Sequence, residues 1–147
     1  FGGLLSAFGL SGDEVFLTLA KQLGDRLKKL VGPDGRLAQS FLGGSRGCNS
    51  LAESGTIQLE MGYLSRIIGD PSYAKAVNEF YSTIQLRPSL DGLWPNCWAS
   101  NSGQITFGAN GDSFYEYLVK VWLLGGQQDE TLWGMYDKAV HGLEKYL

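Results

Sequence analysis

The chain has 147 residues, 44% hydrophobic, 12% aromatic and 18% charged, with a formal net charge of −3. That length suits one domain, and the composition excludes a disordered tail. No apolar run approaches the roughly 18 residues of a membrane-spanning helix, and the acidic balance leaves no basic footprint for a nucleic-acid backbone.

Phe1-Gly2-Gly3-Leu4-Leu5 reads as the middle of a helix already under way, with neither an initiator Met nor a signal peptide. After Leu10-Ser11-Gly12-Asp13, an amphipathic stretch carries Val15, Phe16, Leu19, Leu23, Leu27, Leu30 and Val31 on one face. Ile67-Ile68-Gly69-Asp70-Pro71 precedes a second, with Tyr73, Ala76, Val77, Phe80 and Ile84. Leu124-Gly125-Gly126 precedes a third, with Leu132, Met135, Tyr136, Val140, Leu143 and Tyr146. Gly12, Gly69 and Gly126 thus recur every 57 residues, each after a more apolar helix: a Leu4–Phe8 stub, then Leu59–Ile68, then Phe114–Leu124.

This pattern of helix, glycine turn and helix at a fixed period predicts stacked αα-hairpins with inner and outer helices. Gly at the turn supplies a left-handed cap, and Pro71 suits a helix start, where its missing N–H costs nothing. Asp13 and Asp70 read as helix-start acids. About two and a half repeats are present, and the last helix runs to Tyr146-Leu147 without a stop signal, so both ends read as cut.

Two returns are long, Gly32 to Cys48 and Arg87 to Gly111. In the second, residues 92–98 and 104–107 flank Asn101-Ser102-Gly103, the pattern of a β-hairpin. Trp94 and Trp98 there are either packing residues or a surface on which sugars stack. Cys48 and Cys97 could be bridged or free. His141, the only histidine, falls on the polar side of a helix, so the chain supplies neither a His-rich metal site nor a Ser-His-Asp triad.

Carboxylates gather where two inner helices begin: Glu53 in Leu51-Ala52-Glu53-Ser54, and Asp112 and Glu116 in Gly111-Asp112-Ser113-Phe114-Tyr115-Glu116. Asp112 and Glu116, four apart, share a helix face, and neighbouring like charges favour acid/base work near neutral pH. Paired carboxylates are also the equipment of glycoside hydrolysis. The competing reading is structural, because Ser50–Glu53 and Ser113–Glu116 both match a capping box. Glu60 reads as a partner for nearby basic residues.

At these residues the sequence resembles the class I α-mannosidases, glycoside hydrolase family 47. Gly2-Gly3-Leu4-Leu5-Ser6-Ala7 with Leu10-Ser11-Gly12-Asp13 is similar to the segment after the family's first catalytic glutamate. Ala52-Glu53 through Thr56-Ile57-Gln58-Leu59-Glu60, Leu64-Ser65-Arg66 and Gly69-Asp70 resembles its next inner helix. Gly111-Asp112-Ser113-Phe114-Tyr115-Glu116-Tyr117-Leu118-Val119-Lys120 resembles its most distinctive motif. The three matches fall in family order.

The resemblance implies an all-α fold, a partial (αα)7 barrel with an inserted β-hairpin, and residues 1–147 as a fragment of one catalytic domain. It implies calcium-dependent, inverting removal of terminal α-1,2-linked mannose from high-mannose N-glycans. Asp112 matches the family's catalytic aspartate, and Glu53 and Glu116 match acidic residues that bind substrate; Gln58 and Arg66 stay structural. The first catalytic glutamate would precede Phe1, and the later glutamate and the calcium-binding threonine would follow Leu147. These residues alone are therefore expected neither to hydrolyse glycans nor to hold Ca2+.

A membrane anchor, if any, would lie upstream, and the implied location is the secretory pathway, endoplasmic reticulum or Golgi, or outside the cell. Endoplasmic-reticulum trimming enzymes carry arginine two residues before the aspartate, where this chain has Asn110. The alternative functions are a mannose-recognising quality-control factor of the same family, or an unrelated helical-repeat scaffold whose acids are only caps.

Overall fold

The computed structural model describes residues 1–37 and 48–146. Part of the first long return, 38–47, lies outside the described residues. Three αα-hairpins follow one another: α1 (Gly2–Ser11) with α2 (Glu14–Lys28), α3 (Leu51–Ile68) with α4 (Ser72–Gln85), and α5 (Asp112–Leu124) with α6 (Glu130–Tyr146). The middle helix α3 packs on both α4 and α5, and joins the two ends of the stack.

The turns form as the spacing predicts. Gly12 and Gly69 cap α1 and α3 in the left-handed region, both at φ 69°, where a side chain would be strained. The Asp13 carboxylate accepts from the Val15 N–H at 3.0 Å, and Asp70 accepts from Ser72 N–H at 2.9 Å, so both are helix-start acids. The third turn differs. Gly125 caps α5 at φ −74°, and Gly126 and Gln127 take the left-handed conformation at 78° and 64°. Asp129 then starts α6 by accepting from the amides of Thr131 and Leu132.

The buried faces are narrower than the apolar stripes suggest. On α2, Ala20, Gly24 and Leu27 are buried, whereas Val15 and Leu19 are exposed. Small residues win the contact face because Gly24 admits Leu64 and Tyr73 directly against the backbone. On α6 the buried positions are Leu132, Met135, Ala139 and Gly142, and Tyr146 is exposed. A Cβ at Gly142 would stand 2.6 Å from the Asp91 carbonyl, so the loop before the hairpin lies directly on this helix.

One core cluster gathers Leu5, Ala20, Leu27, Met61, Leu64, Tyr73 and Val77 between the first two hairpins. The other is aromatic and lies beneath the β-hairpin. Its Phe80 ring meets Trp98 edge-on at 5.1 Å and Phe114 at 5.8 Å, and Trp94 meets Phe114 at 5.8 Å.

The β-hairpin exists but turns earlier than predicted. β1 (Pro95–Cys97) pairs antiparallel with β2 (Ser102–Ile105), in the register Pro95 to Ile105 and Cys97 to Ser102 with a bulge between. A 3-10 turn at Trp98–Ser100 and left-handed Asn101 (φ 50°) make the reversal, which places Ser102 and Gly103 in the strand. Cys48 and Cys97 form a disulfide.

Candidate active site at the start of two inner helices

Glu53 and Asp112 are brought together by backbone. The Asn110 carbonyl accepts from the Ala52 N–H at 3.0 Å and from the Ser50 hydroxyl at 3.2 Å. The starts of α3 and α5 therefore lie side by side, with Glu53 in the first turn of one and Asp112 as the first residue of the other. Unpaired N–H groups at helix starts favour negative partners. Both carboxylates are exposed.

The loop before Asp112 is shaped for this. Thr106 Oγ1 accepts from Gly108 N–H at 2.8 Å, and the Gly108 carbonyl accepts from the amides of Gly111 and Asp112 at 3.1 and 3.0 Å. Asn110 sits at φ 70°, a conformation that asparagine tolerates better than most side chains. A Cβ at Gly111 would collide with the Thr106 carbonyl oxygen, so no other residue fits there without movement. At the helix itself, Phe114 lies against Gly55, which permits α5 to approach α3 closely.

The hairpin is fastened to the same place. The disulfide and an isolated bridge between Ser50 and Cys97 hold β1 to the start of α3. The Tyr115 hydroxyl accepts from the Trp94 N–H at 3.0 Å, and Phe107 stacks on the Tyr115 ring at 4.4 Å. Burial pushes the Tyr115 phenol up to about 12, so it stays protonated.

Several expectations from the sequence change here. Trp94 and Trp98 are 4% and 1% exposed, so they pack rather than offer a surface to sugars. Ser50 does cap α3, accepting from the Glu53 N–H at 3.3 Å. Ser113 caps nothing: α5 starts two residues earlier than that cap requires, with Gly111 at the cap position. The Ser113 N–H instead donates to the Asp112 carboxylate at 2.8 Å. Glu116, one turn on, pairs with Lys120 rather than only facing Asp112. That Lys120 lies four residues after Glu116 was readable from the sequence.

Glu60 makes no ion pair among the described residues. It lies half-buried beside Gly2 and Tyr63 in a cleft of about 530 Å3 between α1 and α3, where burial raises its carboxyl above the usual range. Arg66 donates instead to the Leu124 carbonyl at 2.8 Å. His141 is exposed on α6 and lies 2.8 Å from the Asp137 carbonyl.

Among the described residues, no three His, Cys, Asp or Glu side chains cluster closely enough to hold a metal ion. The carboxylates here thus do not fit a calcium cage of their own.

The whole chain, residues 1–147, matches the model of glycosyl hydrolase family 47. The chain belongs to that family. It is 35% identical over 162 residues to mannosyl-oligosaccharide 1,2-alpha-mannosidase IB of Mus musculus, covering 99% of this chain and 25% of the relative. To the endoplasmic reticulum mannosyl-oligosaccharide 1,2-alpha-mannosidase of Mus musculus it is 36% identical over 162 residues, with the same coverage. The structure matches the alpha-1,2-mannosidase from Trichoderma reesei with a TM-score of 0.81 at 24% identity, covering 99% of this chain and 36% of that one. The stacked hairpins of this family 47 chain are thus part of an (αα)7 barrel. The chain spans about a quarter of the length of the curated relatives it matches.

Proposed function

We propose that the chain is part of the catalytic domain of an inverting α-1,2-mannosidase that trims terminal mannose from high-mannose N-glycans. The observation that carries this reading is the joining of Glu53 and Asp112 at one end of two inner helices through the Asn110 carbonyl. In a family whose named relatives cleave α-1,2-linked mannose, such a pair suits a sugar bearing many hydroxyls.

Asp112 is assigned the acid/base work: its carboxylate is exposed at the mouth of α5 and held by the Ser113 amide. Glu53 and Glu116 accept hydrogen bonds from sugar hydroxyls and ordered water. Lys120 balances the charge of Glu116, which supports a binding role for that residue over proton transfer.

Inversion requires a second carboxyl group on the opposite face of the sugar, and calcium requires ligands that these side chains do not provide together. Both are assigned to the rest of a longer catalytic domain, and residues 1–147 alone are expected to be inactive. The secretory pathway is the proposed location, in line with the endoplasmic reticulum relatives. No helix among the described residues is long and apolar enough to cross a membrane.

The deciding experiment is mannose release from a high-mannose N-glycan by the full-length protein, with calcium and then with a chelator, beside Asp112→Asn. Chelator-sensitive release that is lost in the variant is the expected result. A folded, calcium-loaded protein that releases no mannose would sink the hydrolase reading in favour of a mannose-recognising factor.

A further inference from the structure

The Asp112 carboxylate is anchored only by its neighbour. Among the described residues its hydrogen bonds come from the Ser113 N–H at 2.8 Å and the Ser113 hydroxyl at 3.4 Å. With no distant side chain to fix it, its place follows from the backbone where α5 begins. That backbone is seated by the Gly108 carbonyl, which accepts from the amides of Gly111 and Asp112 at 3.1 and 3.0 Å. The carboxylate therefore stands where residues 106–111 put it.

Few side chains in that loop can hold it. Gly108, Ala109 and Asn110 are exposed, and Thr106 Oγ1 bonds the loop to itself at the Gly108 N–H. The Asn110 carbonyl ties its later part to α3. For its earlier part, Phe107 is the one large apolar side chain, half-buried against the aromatic core.

The surface beneath Phe107 is rigid. Its ring stacks on Tyr115, with centroids 4.4 Å apart and planes 20° apart, an arrangement attractive beyond the area it buries. Tyr115 is three residues after Asp112 on the same helix and is 3% exposed. Its hydroxyl accepts from the Trp94 N–H at 3.0 Å, and its ring meets Phe114 at 5.1 Å. The stack thus fastens the loop to the helix whose first residue the loop seats.

We propose that Phe107 is a positioning residue for Asp112, and that its stack on Tyr115 holds the loop that places the acid/base carboxylate. The catalytic consequence rests on the proposed function; the seating rests on the contacts alone. Glu53 and Glu116 stand apart from the stack, one behind the Ser50 cap of α3 and the other one turn into α5 beside Lys120. Losing the stack should therefore slow turnover and spare sugar binding.

The test compares Phe107→Ala and Phe107→Tyr with wild type in the full-length protein. One arm measures mannose release from a high-mannose N-glycan, and the other follows hydrogen exchange at single amides. In Phe107→Ala, kcat should fall about tenfold with KM nearly unchanged, because small displacements of a reacting group are costly in rate. Exchange at Gly111 and Asp112 should quicken while Leu118, in the body of α5, keeps its protection. Phe107→Tyr, which retains the stacked ring, should restore both. Unchanged exchange at Gly111 and Asp112, equal loss of protection at Leu118, or no rescue by Phe107→Tyr would each overturn the proposal. A wild type that releases no mannose would sink the hydrolase reading separately, and the exchange arm would still decide whether Phe107 seats Asp112.

Discussion

The indole N–H of Trp98 donates to the hydroxyl of Ser54 at 2.9 Å, joining the β-hairpin to α3 through two side chains that are each 1% exposed. Replacing Ser54 with Ala leaves that N–H buried without its partner. Ser54→Ala should cost about 1–3 kcal/mol. Urea unfolding checks this, and in a Ser54→Ala/Trp98→Phe double variant the second change should add less than it does alone.

Gly55 lies beneath Phe114, and a Cβ there collides with the ring. Gly55→Ala is expected to destabilise by about 1–3 kcal/mol through overpacking. Because Phe114 is two residues after Asp112, mannose release should also fall, and the loss should exceed what the unfolded fraction explains. Activity normalised to folded protein by circular dichroism separates the two effects.

The disulfide closes a sequence separation of 49 residues. In the chain-entropy account, opening a loop of that length costs about 4 kcal/mol. The paired variant Cys48→Ser/Cys97→Ser should therefore unfold at clearly lower denaturant, and the same shift should follow from adding a reductant to the wild type.

Glu60 provides a pH signature. Burial raises its carboxyl above the ordinary value of 4.5, so between that value and its folded one the native state holds more protons than the unfolded state. This contribution is fully favourable below pH 4.5 and is lost as pH rises through the folded value. Glu60→Gln should flatten that part of the stability curve and raise stability at neutral pH relative to wild type. Unfolding midpoints measured from pH 4 to pH 7 would show an unchanged slope if the burial is not responsible.

Under the proposed function, Glu53→Gln and Glu116→Gln should reduce kcat/KM by about 10–100-fold, less than Asp112→Asn, which removes the proposed acid/base group. Steady-state kinetics on a labelled high-mannose glycan give the order, and equal losses in all three would remove the distinction between their roles.

Much of this architecture is local, and local signals are legible. Gly12, Gly69, Asp13, Asp70 and Ser50 act within one helix turn, so spacing alone reveals them. Long-range choices are not. Val15 and Leu19 belong to an apolar stripe, yet the α2 contact face went to Ala20 and Gly24, whose small size only matters once Leu64 and Tyr73 arrive from elsewhere. Trp98 reads equally as surface or core until Ser54, 44 residues earlier, is placed beside it. The Cys48–Cys97 pairing and the early hairpin turn also depend on where α3 begins. At the site, the residue types of Glu53, Asp112 and Glu116 were visible, whereas the atom that brings two of them together belongs to the backbone of Asn110.

That atom has a consequence for how such sites diversify. Asn110 joins α3 to α5 by its carbonyl oxygen alone, so its side chain is not part of the joint. The position can exchange one side chain for another while the joint between the two helix starts stays put, subject only to the toll of a left-handed backbone. Under the proposed function, the position two residues before Asp112 is thus a place where selectivity can drift without the chemistry drifting with it.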